Sequence, residues 1–359
     1  MLDLLIRNAT LPDGRTGMSI AVQGGRIAEV AAGLAVSAHD TLDAAGLLLA
    51  PPFVDAHFHM DATLSYGLPR VNQSGTLLEG IALWGELKPL LSADALIERA
   101  LAYCDWAVAK GLLAIRSHVD TSDASLLAVD ALLDVKRRVA PYLDLQLVAF
   151  PQDGVLRTPG GVENLKRALD KGIDIVGGIP HFERTMADGA ASVRLLCEIA
   201  AERGLPVDMH CDESDDPHSR HIETLAAETV RLGHGVNVAF GHDCVMDPWY
   251  SLGSADMLEV AHMGLHVAQM TSQRGMRDCF DAVTVNAAKV LGLERYGLEP
   301  GCDASFVLLQ ARDPIEAIRL RAARLKVYRQ GKLLAQTPAA IATLDLPGRP
   351  ARADFMPVR

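Results

Sequence analysis

The sequence predicts an α/β protein built from repeated βα units, with short β-strands at both ends of the chain. Three observations carry this. Apolar, strand-like runs alternate with amphipathic stretches between residues 47 and 291, the pattern of a parallel sheet covered by helices. Five of those runs end at His118, Phe150, Pro180, His210 and Asp243, at intervals of 30 to 33 residues, about the length of one βα unit. Histidines, acids and amides gather at the same ends, where parallel α/β barrels keep their active sites.

Residues 1–46 read as short strands joined by tight turns: Leu4-Leu5-Ile6, Ser19-Ile20-Ala21-Val22 and Gly24-Gly25-Arg26-Ile27. Their alternation and the Gly-Gly pair argue for hairpins. The C-terminal part repeats the style with Ser305-Phe306-Val307-Leu308-Leu309, Leu325-Lys326-Val327-Tyr328 and Gly331-Lys332-Leu333-Leu334. Each set is small for a unit of its own, so the two are expected to pair into one β-sandwich. The expected division is 1–48 plus 297–345 as that composite domain, 49–296 as the α/β domain, and 346–359 as a tail. Within 49–296 and its entry, strands are expected over 47–59, 112–120, 143–151, 172–180, 205–213 and 236–244. Helices are expected over 92–110, 124–139, 162–171, 188–203, 216–232, 254–270 and 277–291. The 216–232 stretch carries Ile222, Leu225, Ala226, Thr229 and Leu232 at helical spacing.

Composition excludes several classes of function. The net charge is −11, without a Lys/Arg cluster that would mark a nucleic-acid footprint. No apolar run approaches the roughly 18 residues that span a bilayer, and Met1 to Gly14 has no apolar core of signal-peptide length. The six cysteines are scattered with no CxxC, as expected of reduced thiols in the cytoplasm. The hydrophobic fraction of 49% is ample for a large core. A small-molecule partner, with no nucleic acid and no membrane, is the expectation; assembly into homo-oligomers is compatible with it.

Pro52-Phe53-Val54-Asp55-Ala56-His57-Phe58-His59 carries the chemistry. In a strand, residues i and i+2 share a face, so His57 and His59 can converge on one point at the strand's end. Neutral imidazoles suit zinc or ferrous iron. His262 and His266 form an HxxxH that lacks the glutamate of HExxH, and read as a helix face. His39, His218 and His221 read as surface residues.

Further motifs continue the pattern: Asn72-Gln73-Ser74-Gly75-Thr76-Leu77, Val148-Ala149-Phe150-Pro151-Gln152 and Ile179-Pro180-His181-Phe182-Glu183. His210-Cys211-Asp212-Glu213, Phe240-Gly241-His242-Asp243, Asp247-Pro248-Trp249-Tyr250 and Asn286-Ala287-Ala288 complete them. With these the chain resembles the amidohydrolase superfamily, and within it the cytosine deaminases, over nearly its whole length. The resemblance implies a distorted (β/α)8 barrel of TIM type with one divalent metal, zinc or iron(II), held by His57, His59, His210 and Asp243. It makes Glu213 the proton shuttle, taking a proton from water, delivering it to a ring nitrogen and helping ammonia leave; Asp243 shares in the catalysis. It sets Gln152 against the substrate's carbonyl and ring nitrogen, and Leu77, Phe150 and Trp249 as pocket walls. The implied activity is hydrolytic deamination of a cytosine-like aminated heterocycle. The alternatives are an aminohydrolase of an ammelide-like triazine, a deaminase of a creatinine, pterin or isoguanine-type ring, and a catalytically impaired metal-binding relative. The binuclear branch, with its carboxylated lysine at the end of strand four, is disfavoured because that strand ends Gly177-Gly178-Ile179-Pro180-His181.

Two departures stand out. At 244 the resembled enzymes carry a second aspartate beside the substrate, where this chain has Cys244, a small and weakly polar side chain. Also, only six strand ends are identifiable. The interval from His210 to Asp243 is 33 residues, room for one βα unit rather than the three expected, and the histidine that the family's sixth strand supplies has no counterpart. A break between Gly233 and His234, with about 60 residues of two βα units belonging between them, is the expectation.

Overall fold

The computed structural model describes residues 1–214, 216, 218–231 and 237–356. The Gly233–His234 junction therefore lies outside the described residues. The chain opens with β1 (Leu2–Ala9), β2 (Met18–Gln23), β3 (Arg26–Ala32) and β4 (Ala38–Asp43), forming one sheet in the order β3-β2-β1-β4. The expected strand 47–59 is two strands. Pro51 and Pro52 have no N–H to give a ladder. β5 (Leu48–Ala50) stops before them and β6 (Phe53–Phe58) starts after them, in a different sheet.

From β6 the chain runs through α1 (Leu77–Leu87), α2 (Ala93–Ala109), β7 (Leu112–Asp120), α3 (Leu127–Val139), β8 (Asp144–Phe150) and α4 (Gly161–Asp170). It continues through β9 (Ile175–Gly178), α5 (Met186–Arg203), β10 (Val207–Met209) and α6 (His221–Arg231). These five strands form a parallel, curled half-barrel in the order β10-β9-β8-β7-β6, an α/β fold of distorted TIM-barrel type. β7 is buried along its whole length, as a strand covered on both faces must be. β10 lies at the sheet's edge and is only half-buried.

Residues 237–244 form no regular strand, contrary to expectation. A single parallel bridge joins Phe58 to Asp243, with Asp243 N donating to His57 O and His59 N to Asp243 O, both at 2.9 Å. Asp243 has φ +64°, and a left-handed residue cannot continue a ladder. A Cβ on Gly241 would stand 2.6 Å from the Cβ and carbonyl oxygen of His57, so only glycine lets this segment lie so close to β6.

Then follow α7 (Met257–Val267), α8 (Gln273–Ala282), α9 (Val285–Val290), β11 (Phe306–Leu309), α10 (Pro314–Leu320), β12 (Arg324–Arg329) and β13 (Lys332–Gln336). The helix expected over 277–291 is two, α8 and α9. Thr284 Oγ1 bonds back to Phe280 O at 2.7 Å, while Val283 O turns away to accept Val54 N at 3.0 Å. The broken helix thus feeds the barrel strand. α1 and α10 were not expected; Thr76 and Asp313 cap them by accepting from the backbone N–H of Glu79 and Glu316. A second sheet in the order β13-β12-β11-β5 faces the N-terminal one. Leu4, Ile6, Ile20 and Val22 share a buried cluster with Phe306, Leu308 and Tyr328, so strands from both ends pack together as expected. A hairpin of β14 (Ala342–Thr343) and β15 (Arg352–Ala353) ends the described chain. No helix among the described residues is long and apolar enough to cross a membrane.

Candidate metal centre and active site

Four side chains meet at the C-terminal rim of the half-barrel. β6 presents His57 and continues directly into His59, the residue after β10 is His210, and the bridge to Phe58 brings in Asp243. His210 Nε2 lies 3.2 Å from His57 Nε2 and 3.0 Å from His59 Nε2. Asp243 Oδ1 lies 3.3 and 3.5 Å from those same two nitrogens of His57 and His59. Donors bound tetrahedrally at 2.0–2.1 Å from one ion stand about 3.3 Å apart, and these separations fit that edge. Four such donors facing one point form a group that could hold a metal ion. Three imidazoles with one carboxylate are a zinc or iron donor set. The first sequence expectation, His57, His59, His210 and Asp243 together, is one group in space.

The electrostatics follow from that crowding. Burial works against a charge on His57, yet the hydrogen bond and charge of Asp243 outweigh it and raise the imidazole to about 9. Burial pushes His59 down to about 3. Burial and the neighbouring imidazoles hold His210 well below the ordinary histidine value. Burial would raise Asp243, but the bond from His57 and the surrounding imidazoles keep it well below the carboxylate range. Behind the cluster Asp55 is fully buried. It accepts His57 N at 3.2 Å and His242 N at 3.0 Å, tying β6 to the Asp243 segment, and burial pushes its carboxyl up to about 6.

Glu213 is solvent-exposed at the mouth, three residues beyond His210. Partial desolvation and then the Asp243 carboxylate raise its carboxyl, while His57 pulls the other way. Asp212 beside it does a different job: its carboxylate accepts the N–H groups of His221 and Ile222 at 2.8 and 2.9 Å, capping α6. His221 is itself buried, with 1% exposure, which corrects its reading as a surface residue; it packs where α5 carries Gly189.

The Phe150 ring packs against His210 at 4.4 Å and His59 at 5.5 Å. The Trp249 ring lies 6.3 Å from His59 and 5.4 Å from Trp84. Gln152 is half-buried at the start of the loop after β8. Leu77 opens α1 and is 38% exposed. Cys244 is buried between Asp243, Asp247 and Glu213, and burial followed by those acids pushes its thiol well above the usual range. The thiol is hydrogen-bonded to Asp247.

Some neighbours were not assigned from sequence. Trp84 Nε1 donates to Asp120 Oδ2 at 3.0 Å, fixing α1 over the end of β7. Glu183 accepts Leu156 N and Arg157 N at 3.0 and 2.9 Å, holding the loop that begins at Gln152. Asp208 lies two residues before His210, the same i, i+2 spacing that singled out His57 and His59; that signal was available.

A curled parallel half-barrel with such a donor cluster at its strand ends defines a metal-dependent hydrolase. The chain belongs to the amidohydrolase family, whose model matches residues 40–234 and 231–335. The family is metal-dependent, and the relatives named below act on carbon–nitrogen bonds of small rings. The two matched pieces meet at 231–234, where the sequence places its break. 5-Methylcytosine deaminase from Klebsiella pneumoniae, solved with 5-fluorocytosine, superposes with a TM-score of 0.88 and 34% identity, covering 96% of this chain and 100% of that one. N-isopropylammelide isopropylaminohydrolase from Burkholderia multivorans gives a TM-score of 0.77 at 27% identity, covering 94% and 99%. N-isopropylammelide isopropyl amidohydrolase from Pseudomonas sp. (strain ADP) is 26% identical over 400 aligned positions, 95% of this chain and 99% of that protein. That alignment is longer than the 359 residues of this chain, so the relative carries residues with no counterpart here.

Proposed function

We propose that this protein is a metal-dependent hydrolytic deaminase of a cytosine-type ring, with a 5-substituted cytosine as its preferred substrate. The observation that carries the reaction is the convergence of His57, His59, His210 and Asp243 beside Glu213, between the Phe150 and Trp249 rings. His57, His59, His210 and Asp243 would hold a divalent zinc or iron ion, which would supply Lewis acidity toward a water molecule near neutral pH.

The chain's own residues do the rest. Phe150 and Trp249 offer apolar faces to a flat ring, and Gln152 offers an amide to its carbonyl and ring nitrogen. Glu213, with its raised carboxyl, accepts one proton of the attacking water and delivers it to the ring nitrogen, then takes the second proton from the new hydroxyl and delivers it to the exocyclic amine. The water oxygen becomes the new carbonyl, the carbon–nitrogen bond breaks, and ammonia leaves. Cys244 bears on the substrate. A compact neutral thiol, already bonded to Asp247, leaves more room and less charge than an aspartate would, which favours a ring carrying an added group. The likeness to the Klebsiella 5-methylcytosine deaminase supports the same choice. We infer a cytoplasmic location from the free cysteines, which stay reduced there.

The two aminohydrolase relatives support a second reading, release of an alkylamine from an ammelide-like triazine. Ammonia and amine release from zinc- and iron-loaded protein, assayed on cytosine, 5-methylcytosine, isoguanine, creatinine and aminotriazines, separates them. We expect one metal per chain, lost in His57→Ala, and fastest turnover on 5-methylcytosine. Two metals per chain would overturn the mononuclear site. Turnover on triazines alone would favour the second reading, and metal binding without any turnover would make the chain an impaired relative.

A further inference from the structure

Directly beneath the ligand cluster lies a buried polar chain that the reaction does not use. Arg116 and His118 are two residues apart on β7, and Asp208 of β10 precedes His210, the residue after that strand, by two, so each pair shares one face. Arg116 Nη1 donates to Asp208 Oδ2 at 3.0 Å, and the His118 Nε2 lies 3.3 Å from Asp208 Oδ1. The other nitrogen of His118 lies 3.3 Å from the carbonyl oxygen of Phe58, the residue between His57 and His59. Arg116 also donates to Gln146 Oε1 at 3.1 Å and to Val290 O at 2.7 Å. The His118 ring is fully buried, its centroid 4.4, 5.1 and 4.8 Å from those of His57, His59 and His210.

We propose that Asp208 and His118, anchored by Arg116, form a brace across the half-barrel that positions His210 against His57 and His59. This rests on the metal reading of the four donors. β10 pairs with β9 through only three residues, Val207 to Met209, and is the edge of its sheet among the described residues. So short an edge ladder leaves the third imidazole weakly located, whereas His57 and His59 extend a six-residue strand that pairs with β7 and is bridged to Asp243 on its other side. The brace supplies the missing constraint. It runs from the Phe58 carbonyl through His118 and Asp208 to Arg116, joining β6, β7 and β10 at the level of the ligands.

A second cation among His57, His118 and Asp208 is the competing use of the same atoms. Two features disfavour it. The Arg116 guanidinium already neutralises Asp208 and would repel a divalent ion. The His57 Nε2 is turned to the His210 and Asp243 donors, leaving no lone pair there for another ion.

The test is metal affinity, measured by chelator competition, together with the visible spectrum of the cobalt(II)-loaded protein. Asp208→Asn keeps the shape and removes the charge that bonds Arg116 and faces His118. It should still bind one metal per chain, with affinity lowered about 10- to 100-fold, the range for residues that orient ligands, and with a shifted cobalt spectrum at native circular dichroism. His118→Gln should do the same, and the double variant should lose little more than either single one. Should Asp208→Asn not fold, His118→Gln carries the measurement. A folded variant with native affinity and native spectrum would overturn the brace. Two metals in the parent protein, one of them lost in Asp208→Asn, would overturn it in favour of the second cation site. No metal in the parent protein would remove the metal reading itself.

Discussion

Glu213 is the residue on which the proposed proton transfers depend, and it contributes nothing visible to the fold. It is exposed and lies beyond the end of β10. Glu213→Gln should therefore keep the metal and the melting temperature while lowering turnover by roughly 10² to 10⁴, the range for a general acid–base group. Near-native turnover with metal in place would assign the shuttle elsewhere. Cys244 sets a different quantity. Cys244→Asp should raise the rate on cytosine relative to 5-methylcytosine, because it returns a charged acceptor and takes up space beside the ring. The position is buried and flanked by Asp243 and Asp247, so the new acid costs stability as well. The melting temperature should be read alongside the rates. An unchanged rate ratio would remove Cys244 from substrate choice.

At the scale of elements, the joint between α7 and β12 shows how the two sheets' halves hold the site. Asp256 caps α7 by accepting from Leu258 N at 3.0 Å. It also takes a bidentate pairing from Arg324 of β12, whose Nη1 lies 3.1 Å from Oδ2. Both side chains are nearly buried. Burial alone would raise the Asp256 carboxyl, but the charge and hydrogen bonds of Arg324 bring it below the ordinary value. A depressed acid stabilises the fold fully above its unfolded value, about 3.9, and that stability is lost as pH falls through the folded value. Asp256→Asn keeps a capping oxygen but strands a buried guanidinium, which costs roughly 3 to 5 kcal/mol. The variant should melt well below the parent at pH 7, and the deficit should shrink as pH falls below about 4. A constant deficit across that range would mean that the charge pair is not its source. Elements were legible in the sequence where periodicity was strong, and β7 appears at its expected bounds, 112–120. They were not legible where tertiary contacts decide. Nothing local says that Val283 O is taken by Val54 N and so splits a helix, or that two prolines send Leu48–Ala50 to another sheet. α1 left a readable trace in Thr76-Leu77-Leu78-Glu79, a helix-start pattern. At the site, ligand spacing was legible. The i, i+2 spacing of Asp208 and His210 was legible too, but the pairing of Asp208 with Arg116 was not, because the two meet only when β7 and β10 face one another across the half-barrel.

At the scale of the whole molecule, the described residues supply five barrel strands and a bridge where a closed barrel has eight. We propose 1–48 plus 297–345 and 49–296 as the domain plan, with β5 as the joint between the units; the expected tail 346–359 does not stand apart, because its β15 pairs back onto β14. The half-barrel's β10 and the Asp243 segment are both partly exposed, and Val238 is 64% exposed. Parallel strands are stable when covered on both faces, and an uncovered edge invites pairing with other chains. The family match breaks at 231–234 and the Pseudomonas alignment needs more positions than this chain has. We propose that the shortfall lies where the family match breaks, between α6 and the Asp243 segment. The prediction is a chimaera: inserting between Gly233 and His234 about 60 residues for two βα units, taken from the longer Pseudomonas relative. Two added strands would cover β10 and the Asp243 segment, bury the edge and close the wall behind the metal. The chimaera should melt higher than the parent, resist aggregation, and deaminate 5-methylcytosine faster at equal metal content. A chimaera that folds with one metal per chain, yet gains neither stability nor rate, would mean that the open half-barrel is a finished design, with Asp55 and the Arg116–Asp208–His118 chain sufficient to hold its site.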